Sequence, residues 1–323
     1  MARRRKRKKN KGFYIRKLFL VIAILLYTVF ADEINNTFGL TEKDAKKLEK
    51  EKETEQIDKE DIKEMVVLHD KLRIYYLDVG QAESILIDSG GEYMVIDGGN
   101  NADGPLIVKY FKDLGIEKIR YVVGTHAHED HIGGLDDIIS NFYIDTIYIP
   151  DAITTTKTFE DLLNSIERKK MSFKVPKIDD VFKLGEADVK VIYTGTDVDD
   201  LNNSSIILKV TYGNTSFLFT GDTTSTIERQ ILDKDITADV LKVAHHGSKY
   251  SSIAHFLKKV DPKYAVISCG NDNSYDHPNT LTLNKLDRLN VKTYRTDMDG
   301  TVIAISDGNS ISFETLKTNT DGG

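Results

Sequence analysis

Hydrophobic and polar positions change pattern three times along the chain. Positions 18 to 31, LFLVIAILLYTVFA, are unbroken apolar sequence; positions 41 to 64 alternate Glu and Lys with few apolar residues; from Lys71 onward short β-branched runs recur with amphipathic stretches between them. The runs are LRIYYLDV, SILID, YMVID, IRYVVGT, TIYIP, VKVIYTG, SIILKVTY, TSFLFTGD, DVLKVAHH, YAVISCG and TVIAIS, and each predicts a strand. Helical periodicity lies between them near 105–114, 134–141, 159–169, 224–232, 251–258 and 280–289. Strands and helices interleaved in this way imply an α/β layered domain with mostly buried sheets. Gly90-Gly91, between the second and third runs, predicts a hairpin. Each half of the body holds strands, a helix and a strand ending in histidines, without a short-period repeat.

The apolar stretch follows Arg3-Arg4-Arg5-Lys6-Arg7-Lys8-Lys9. Positive charge ahead of an apolar run is the pattern of an export signal and keeps the basic end cytoplasmic. Fourteen helical residues reach about 21 Å, short of a ~30 Å hydrocarbon core. That favours a signal peptide over residues 1–31, although Phe13, Tyr14 and Ile15 lengthen the segment to an uncleaved anchor if Arg16 and Lys17 snorkel. Either way the remainder is expected outside the cytoplasm, secreted or tied to the membrane by its N-terminus. Residues 32–70 read as a charged linker, and residues 71–323 as the folded domain.

Composition narrows the chemistry. Hydrophobic residues make up 40% and charged residues 29% of 323, an ordinary globular balance that excludes collagen, a wholly disordered chain and a polytopic membrane protein. The net charge of −7 conceals ten Lys and Arg within the first 31 residues, so the rest carries 34 basic against 51 acidic residues, a net of −17. Such a body repels polyanions over most of its surface. The single cysteine, Cys269, allows no intramolecular disulfide and no thiolate-rich metal site, so any metal must be held by His and carboxylate.

Those ligands occur together. The run from Ile119 continues into Thr125-His126-Ala127-His128-Glu129-Asp130-His131-Ile132-Gly133-Gly134, which puts the four candidate ligands His126, His128, Asp130 and His131 within six residues at a strand's end. His126 and His128, two apart on extended backbone, face the same way and can grip one ion, while Asp130 and His131 fall where the chain turns and can face a second. Imidazole with carboxylate suits Zn(II), and also Mn(II) or Fe(II). Six of the eight histidines lie at 126 to 131, at His245-His246 and at His277. His69 and His255 read as surface or structural. FLFTGD ends an apolar strand on Asp222, which suits either a carboxylate between two cations or a helix cap.

From about Leu72 to Ile305 the chain resembles the metallo-β-lactamase superfamily. Within it the chain looks like the extracytoplasmic domain of ComEC competence proteins, and it is similar to pneumococcal-type phosphorylcholine esterases. The matching segments are YYLDVGQAESILI, VIDGG, THAHEDHIGG, NNSSIILKV, FLFTGD, LKVAHHGSKYS, and YDHP followed by YRTDMDGTV. The resemblance implies an αββα sandwich of two mixed sheets with helices outside and two divalent metal ions at its rim. It puts His126 and His128 on one metal, Asp130 and His131 on the other, and Asp222 between them, with His246 completing the second set and His245 close by. Asp97 of VIDGG would orient these ligands from behind. Asp130, His245 and His277 are the expected catalytic side chains, His277 as substrate contact, general acid or ligand. Asn203, Ser248 and Lys249 are the expected substrate contacts. Two departures stand out: Asn202-Asn203-Ser204-Ser205 occupies the place of a third histidine on the first metal, as in the ComEC-like branch, and Gln81-Ala82-Glu83 stands where Gln-Gly-Asp is common.

Two cations a few ångströms apart activate a shared water and clamp both oxygens of a displacement, so hydrolysis is the expected reaction. No serine elbow, Walker loop or dinucleotide fingerprint competes with it. A phosphodiester is the expected substrate, either DNA or a small or cell-wall diester, with no protein partner expected. The alternatives are hydrolysis of a β-lactam or another ester, and a non-catalytic binding module on the same fold.

Overall fold

A computed structural model describes residues 71–317 apart from residue 272. The chain divides into units Met1–Val67 and Leu68–Gly323, and every described residue belongs to the second. The export segment and charged linker read from the sequence lie outside the described residues. Among the described residues no helix is long and apolar enough to cross a membrane.

The chain first lays down β1 (Leu72–Tyr76), β2 (Ser84–Ser89), β3 (Glu92–Gly98), β4 (Lys118–Val123), β5 (Tyr143–Tyr148) and β6 (Phe173–Lys174). It then builds a second sheet from β7 (Val181–Leu184), β8 (Ala187–Tyr193), β9 (Ile207–Tyr212), β10 (Thr215–Phe219), β11 (Val240–Lys242), β12 (Tyr264–Ile267) and β13 (Lys292–Arg295). Finally β14 (Thr301–Ser306) and β15 (Ile311–Leu316) return to the first sheet, whose order becomes β15-β14-β1-β2-β3-β4-β5-β6; the second runs β13-β12-β11-β10-β9-β8-β7. Both sheets are mixed: β3 to β6 and β10 to β13 pair in parallel, and the remaining neighbours pair antiparallel. The β2–β3 hairpin turns on Gly90 and Gly91, both at positive φ, with Ser89 opposite Glu92. Glycine adopts that backbone without steric penalty.

Period-two alternation sorts the side chains into three layers. Ile74 and Tyr76 of β1, Ile85 and Ile87 of β2, and Phe217 and Phe219 of β10 meet between the sheets, where the Tyr76 and Phe219 rings stack at 6.2 Å. The opposite positions, such as Leu86 and Val95, pack beneath helices α1 (Gly104–Asp113), α2 (Glu129–Ile132), α3 (Leu135–Asn141) and α4 (Lys157–Arg168). On the other side Leu218 and Leu241 pack beneath α5 (Ser225–Gln230), α6 (Ala254–Val260) and α7 (Thr280–Arg288). Helix α4 shows the logic: Thr156 caps its first turn by accepting from the Phe159 amide at 3.3 Å, and Phe159, Leu162 and Ile166 form its buried stripe. Each fully buried side chain of that size contributes roughly 1.5–3 kcal/mol. The result is an αββα sandwich.

Eleven apolar runs become fifteen strands. The four that the pattern did not predict, β6, β7, β13 and β15, are the four sheet edges. An edge strand need not bury both faces, and β15 carries one half-buried position in each pair before ending fully exposed. Two one-turn helices also went unpredicted, α2 and α8 (Thr296–Asp299).

Close backbone approach pins the end of the sandwich that carries the histidines. A Cβ on Gly134 would lie 2.4 Å from the Gly98 carbonyl oxygen and 2.8 Å from the Gly104 Cα, so the tip of β3, the start of α1 and the turn before α3 touch backbone to backbone. That contact fixes Asp97 against the loop that follows β4.

Candidate metal centre

Five strand ends supply the site. β3 ends on Asp97 and Gly98; β4 runs through Thr125 to His126 and His128; β10 leads to Asp222; β11 leads to His245 and His246; and the loop after β12 carries His277. His128 is still extended, with φ −84° and ψ 151°, and immediately precedes α2, which bears Asp130 and His131. His245, His246 and Gly247 follow one another at φ of 52°, 51° and 82°. Left-handed backbone at non-glycine residues costs of order 1–3 kcal/mol each, so it persists only where neighbours fix it. Here the His245 amide donates to Gly221 O at 3.1 Å, and a Cβ on Gly247 would meet the Pro278 Cβ at 2.6 Å.

Asp97 organises the first histidines. Fully buried, it accepts from the Thr125 amide, the Thr125 hydroxyl and His131 Nδ1, each at 2.7 Å. A carboxylate only accepts, so the Nδ1 of His131 carries the proton and its Nε2 faces the centre. His246 Nδ1 donates to Ser268 O at 2.9 Å, which leaves Nε2 inward in the same way. There, His131 Nε2 stands 3.2 Å from Asp222 Oδ1, and His246 Nε2 stands 3.3 Å from Asp130 Oδ2 and 3.5 Å from Asp222 Oδ2. His126 Nε2 and His128 Nδ1 lie 2.9 Å apart alongside.

The donor set fits a divalent cation. One ligand atom from each of Asp130, His131, Asp222 and His246 falls within 4.8 Å of every other. His131 Nε2, His246 Nε2 and Asp222 Oδ1 are buried without a hydrogen-bond partner in the protein. Unsatisfied buried polar atoms are costly, and three converging on one point suit a cation. Two imidazoles and two carboxylates are borderline-hard donors, suited to Zn(II) or Mn(II). Among the described residues, no third His, Cys or carboxylate atom forms such a tight group with His126 and His128. A second buried group, Glu83, Asp97 and His131, lies directly behind the first.

Charges within the cluster respond to one another. Burial alone raises Asp222, but His131, His246 and His245 outweigh it and hold its carboxyl well below the usual range. Burial likewise lowers His131, and Asp222, Asp97 and Asp130 overcome it to hold the imidazole well above its usual value. Asp97 is pushed up to about 6 by burial, against the pull of His131. His277 is pushed down to about 4 by burial and by His245 and His246.

The centre opens into a cavity of about 280 Å³ lined by Gln81, His128, Glu129, Asp130, Asp222, His245, His246, Tyr275 and His277. Among the described residues no Lys or Arg lines it. The sequence model of the metallo-beta-lactamase superfamily matches residues 77–271. The chain belongs to the metallo-β-lactamase superfamily. It is similar to ComE operon protein 3 of Bacillus subtilis (strain 168), 28% identical over 247 residues, which are 70% of this chain and 32% of that protein. It is also similar to Competence protein ComA of Neisseria gonorrhoeae, 29% identical over 227 residues, which are 69% of this chain and 30% of that protein. The chain therefore spans about a third of the length of these relatives. Among solved structures, the metallo-beta-lactamase fold protein YhfI from Bacillus subtilis aligns with a TM-score of 0.45 and 15% identity over 69% of this chain and 95% of that one.

Within this metallo-β-lactamase frame, the structure brings Asp97, His126, His128, Asp130, His131, Asp222, His245, His246 and His277 to one end of the sandwich. Asp222 does not cap α5; Thr224 does, accepting from the Thr226 amide. The three expected substrate contacts lie elsewhere. The Asn203 side chain donates to Asp197 and Asp200 of its own loop and accepts from Thr224 Oγ1, ahead of α5, at 2.6 Å. Ser248 is buried and its hydroxyl accepts from the Tyr250 amide at 3.3 Å; Lys249 is exposed, with its ammonium over the Tyr250 ring at 5.2 Å. None of the three lines the cavity. Residues that do and were not expected at the site are Gln81, whose Oε1 accepts from the Gly270 amide, Glu129, whose Oε1 accepts from Asn101 Nδ2 at 2.8 Å, and Tyr275, which is 68% exposed with its ring 5.9 Å from that of His277. An aromatic two residues before His277 was the available signal.

Proposed function

We propose that this chain is an extracytoplasmic, metal-dependent hydrolase of phosphodiesters. The observation that carries the reading is the convergence of buried, unpartnered ligand atoms of His131, Asp222 and His246, the last two of which line an open cavity. Asp130, His131, Asp222 and His246 would hold one divalent ion, and His126 and His128 would hold a second more loosely. Bound metal ions of this kind lower the pKa of water and neutralise charge that develops on a phosphoryl group. The remaining work falls to the protein. Asp97 and Ser268 O hold the two inward imidazoles in the tautomer that leaves Nε2 free. Asp130, its side chain 32% exposed, is the least buried of the four residues that would hold the first ion. His277, neutral near pH 7 because its pKa is pushed down to about 4, serves as a hydrogen-bonding group to the substrate rather than as a general acid.

Glu129, Asp130 and Asp222 line the cavity with no compensating Lys or Arg among the described residues, and the body outside the first 31 residues has a net charge of −17. A substrate that presents one phosphodiester suits this better than a polyanion gripped along its length. DNA is the polymer to which the ComEC resemblance points, and a small or cell-wall diester fits an exported enzyme. The basic and then apolar N-terminal sequence supports export.

The test is hydrolysis of bis(p-nitrophenyl) phosphate, single-stranded DNA and nitrocefin by the purified chain with Zn(II) or Mn(II), beside His131→Ala. Metal-dependent turnover of either phosphodiester, lost in His131→Ala, supports the proposal. Turnover of nitrocefin alone, or of none by metal-loaded protein, refutes it.

A further inference from the structure

Behind the candidate ligands lies an ion pair that the proposed chemistry does not use. Glu83 and Lys242 are both fully buried, and the Lys242 ammonium donates to Glu83 Oε2 and, at 3.1 Å, to Val243 O. Strand alternation explains how two charges come to meet there. Ile87 and Ile85 of β2 face the space between the sheets, and Glu83 is the next position on that face; in β11 Val240 faces the same space and Lys242 follows it. The pair thus closes the inter-sheet core at the end that carries the ligands.

Each partner is tied to a different ligand loop. The Glu83 amide donates to the Asp130 carbonyl at 2.9 Å, its carbonyl accepts from the Gly99 amide at 2.8 Å, and its carboxylate groups with Asp97 and His131 within 4.8 Å. Lys242 stands three residues before His245, and its carbonyl accepts from the Thr220 hydroxyl at 2.7 Å, two residues before Asp222. The Asp130–His131 turn of the first sheet and the Asp222 and His245–His246 turns of the second therefore have a direct charged link between their supports. Opposed charges without solvent hold a fixed separation better than apolar contacts, which slide.

We infer that Glu83 and Lys242 are positioning residues that brace the two sheets and set the distance between Asp130–His131 and Asp222–His246. The inference rests on the assignment of those four residues as metal ligands. The pair touches no substrate. Breaking such support costs about 10- to 100-fold in metal affinity in comparable sites.

The test uses the double variant Glu83→Gln/Lys242→Met, which removes both charges and leaves neither stranded. Zn(II) affinity is read by chelator competition, Co(II) coordination by visible absorption, and unfolding midpoints with and without Zn(II). The expected result is a Zn(II) affinity lower by roughly 10- to 100-fold, a changed Co(II) spectrum and a smaller rise in midpoint on adding Zn(II). Unchanged affinity and spectrum overturn the inference, whatever happens to the metal-free midpoint. If the double variant does not fold, Glu83→Asp, which keeps the pair but shortens its reach, is judged by the same readouts. A parent protein that takes up no metal overturns the ligand assignment and the brace together, whereas a parent that loads normally beside an unaffected variant overturns the brace alone.

Discussion

Replacing Asp97 by asparagine isolates the support of a single ligand. The backbone there has φ 60°, a conformation asparagine tolerates, and the side-chain volume is unchanged. What changes is the hydrogen-bond inventory. The carboxylate accepts three hydrogen bonds of 2.7 Å, from Thr125 N, Thr125 Oγ1 and His131 Nδ1. An amide offers one oxygen and one NH₂. With the oxygen toward Thr125 N, the NH₂ faces His131 Nδ1 and drives its proton to Nε2, where a metal must bind. With the amide turned the other way, NH₂ meets the Thr125 N–H donor in a buried site. Either arrangement forfeits about one charge-assisted hydrogen bond, roughly 1.5–3 kcal/mol. At about 1.4 kcal/mol per decade, that is a 10- to 150-fold loss of affinity for a metal ion bound, as proposed, through His131. Burial already pushes the Asp97 carboxyl up to about 6, so neutralising it relieves desolvation and the metal-free protein is destabilised less than the loaded one. Chelator competition at pH 7 measures the affinity, and urea unfolding with and without Zn(II) measures the difference. Wild-type Zn(II) affinity in Asp97→Asn would refute the reasoning.

Two further outcomes follow from the same geometry. Gly134→Ala places a methyl 2.4 Å from the Gly98 carbonyl oxygen and is expected to destabilise the protein by about 1–3 kcal/mol in urea unfolding, a midpoint equal to the parent's counting against it. In metal-free protein the raised His131 stabilises the fold fully below its unfolded pKa, and that contribution is lost as pH rises through its folded value. The depressed Asp222 stabilises above its unfolded pKa and ceases to do so as pH falls through its folded value. Zn(II) must displace the His131 proton, so calorimetry near pH 7 should show proton release and tighter binding as pH rises; a binding enthalpy independent of buffer would contradict this.

The sandwich was legible in the sequence wherever both faces of a strand are covered. Runs such as SILID and FLFTGD carry an inter-sheet position and an outer position in turn, and both are apolar. The four edges were not legible, because β13 and β15 bury too little to write a pattern. At the site, the dense run from His126 to His131 was legible from composition alone, and the grouping of Asp222 and His246 with it came from family resemblance. Asn203, Ser248 and Lys249 were read toward the substrate because they neighbour motif residues, yet Asn203 and Ser248 make local hydrogen bonds and the Lys249 ammonium lies over the Tyr250 ring. Glu83 and Lys242 could have been found: each is a charge at an inward position of an otherwise apolar alternation, and opposite signs on facing sheets are a pairing signal.

The return of β14 to lie beside β1, with Leu72 opposite Ser306, has a consequence for the order in which the molecule comes into being. As the polypeptide emerges from the ribosome or from a translocation pore, β1 can pair with β2 at once. Its other edge, a row of open amides and carbonyls over Leu72–Tyr76, waits until residues 301–306 arrive. An exposed strand edge recruits whatever strand is near. The time between those two events is therefore the chain's period of greatest exposure to misassembly, and a holding chaperone that covered β1 during that interval would protect the whole fold.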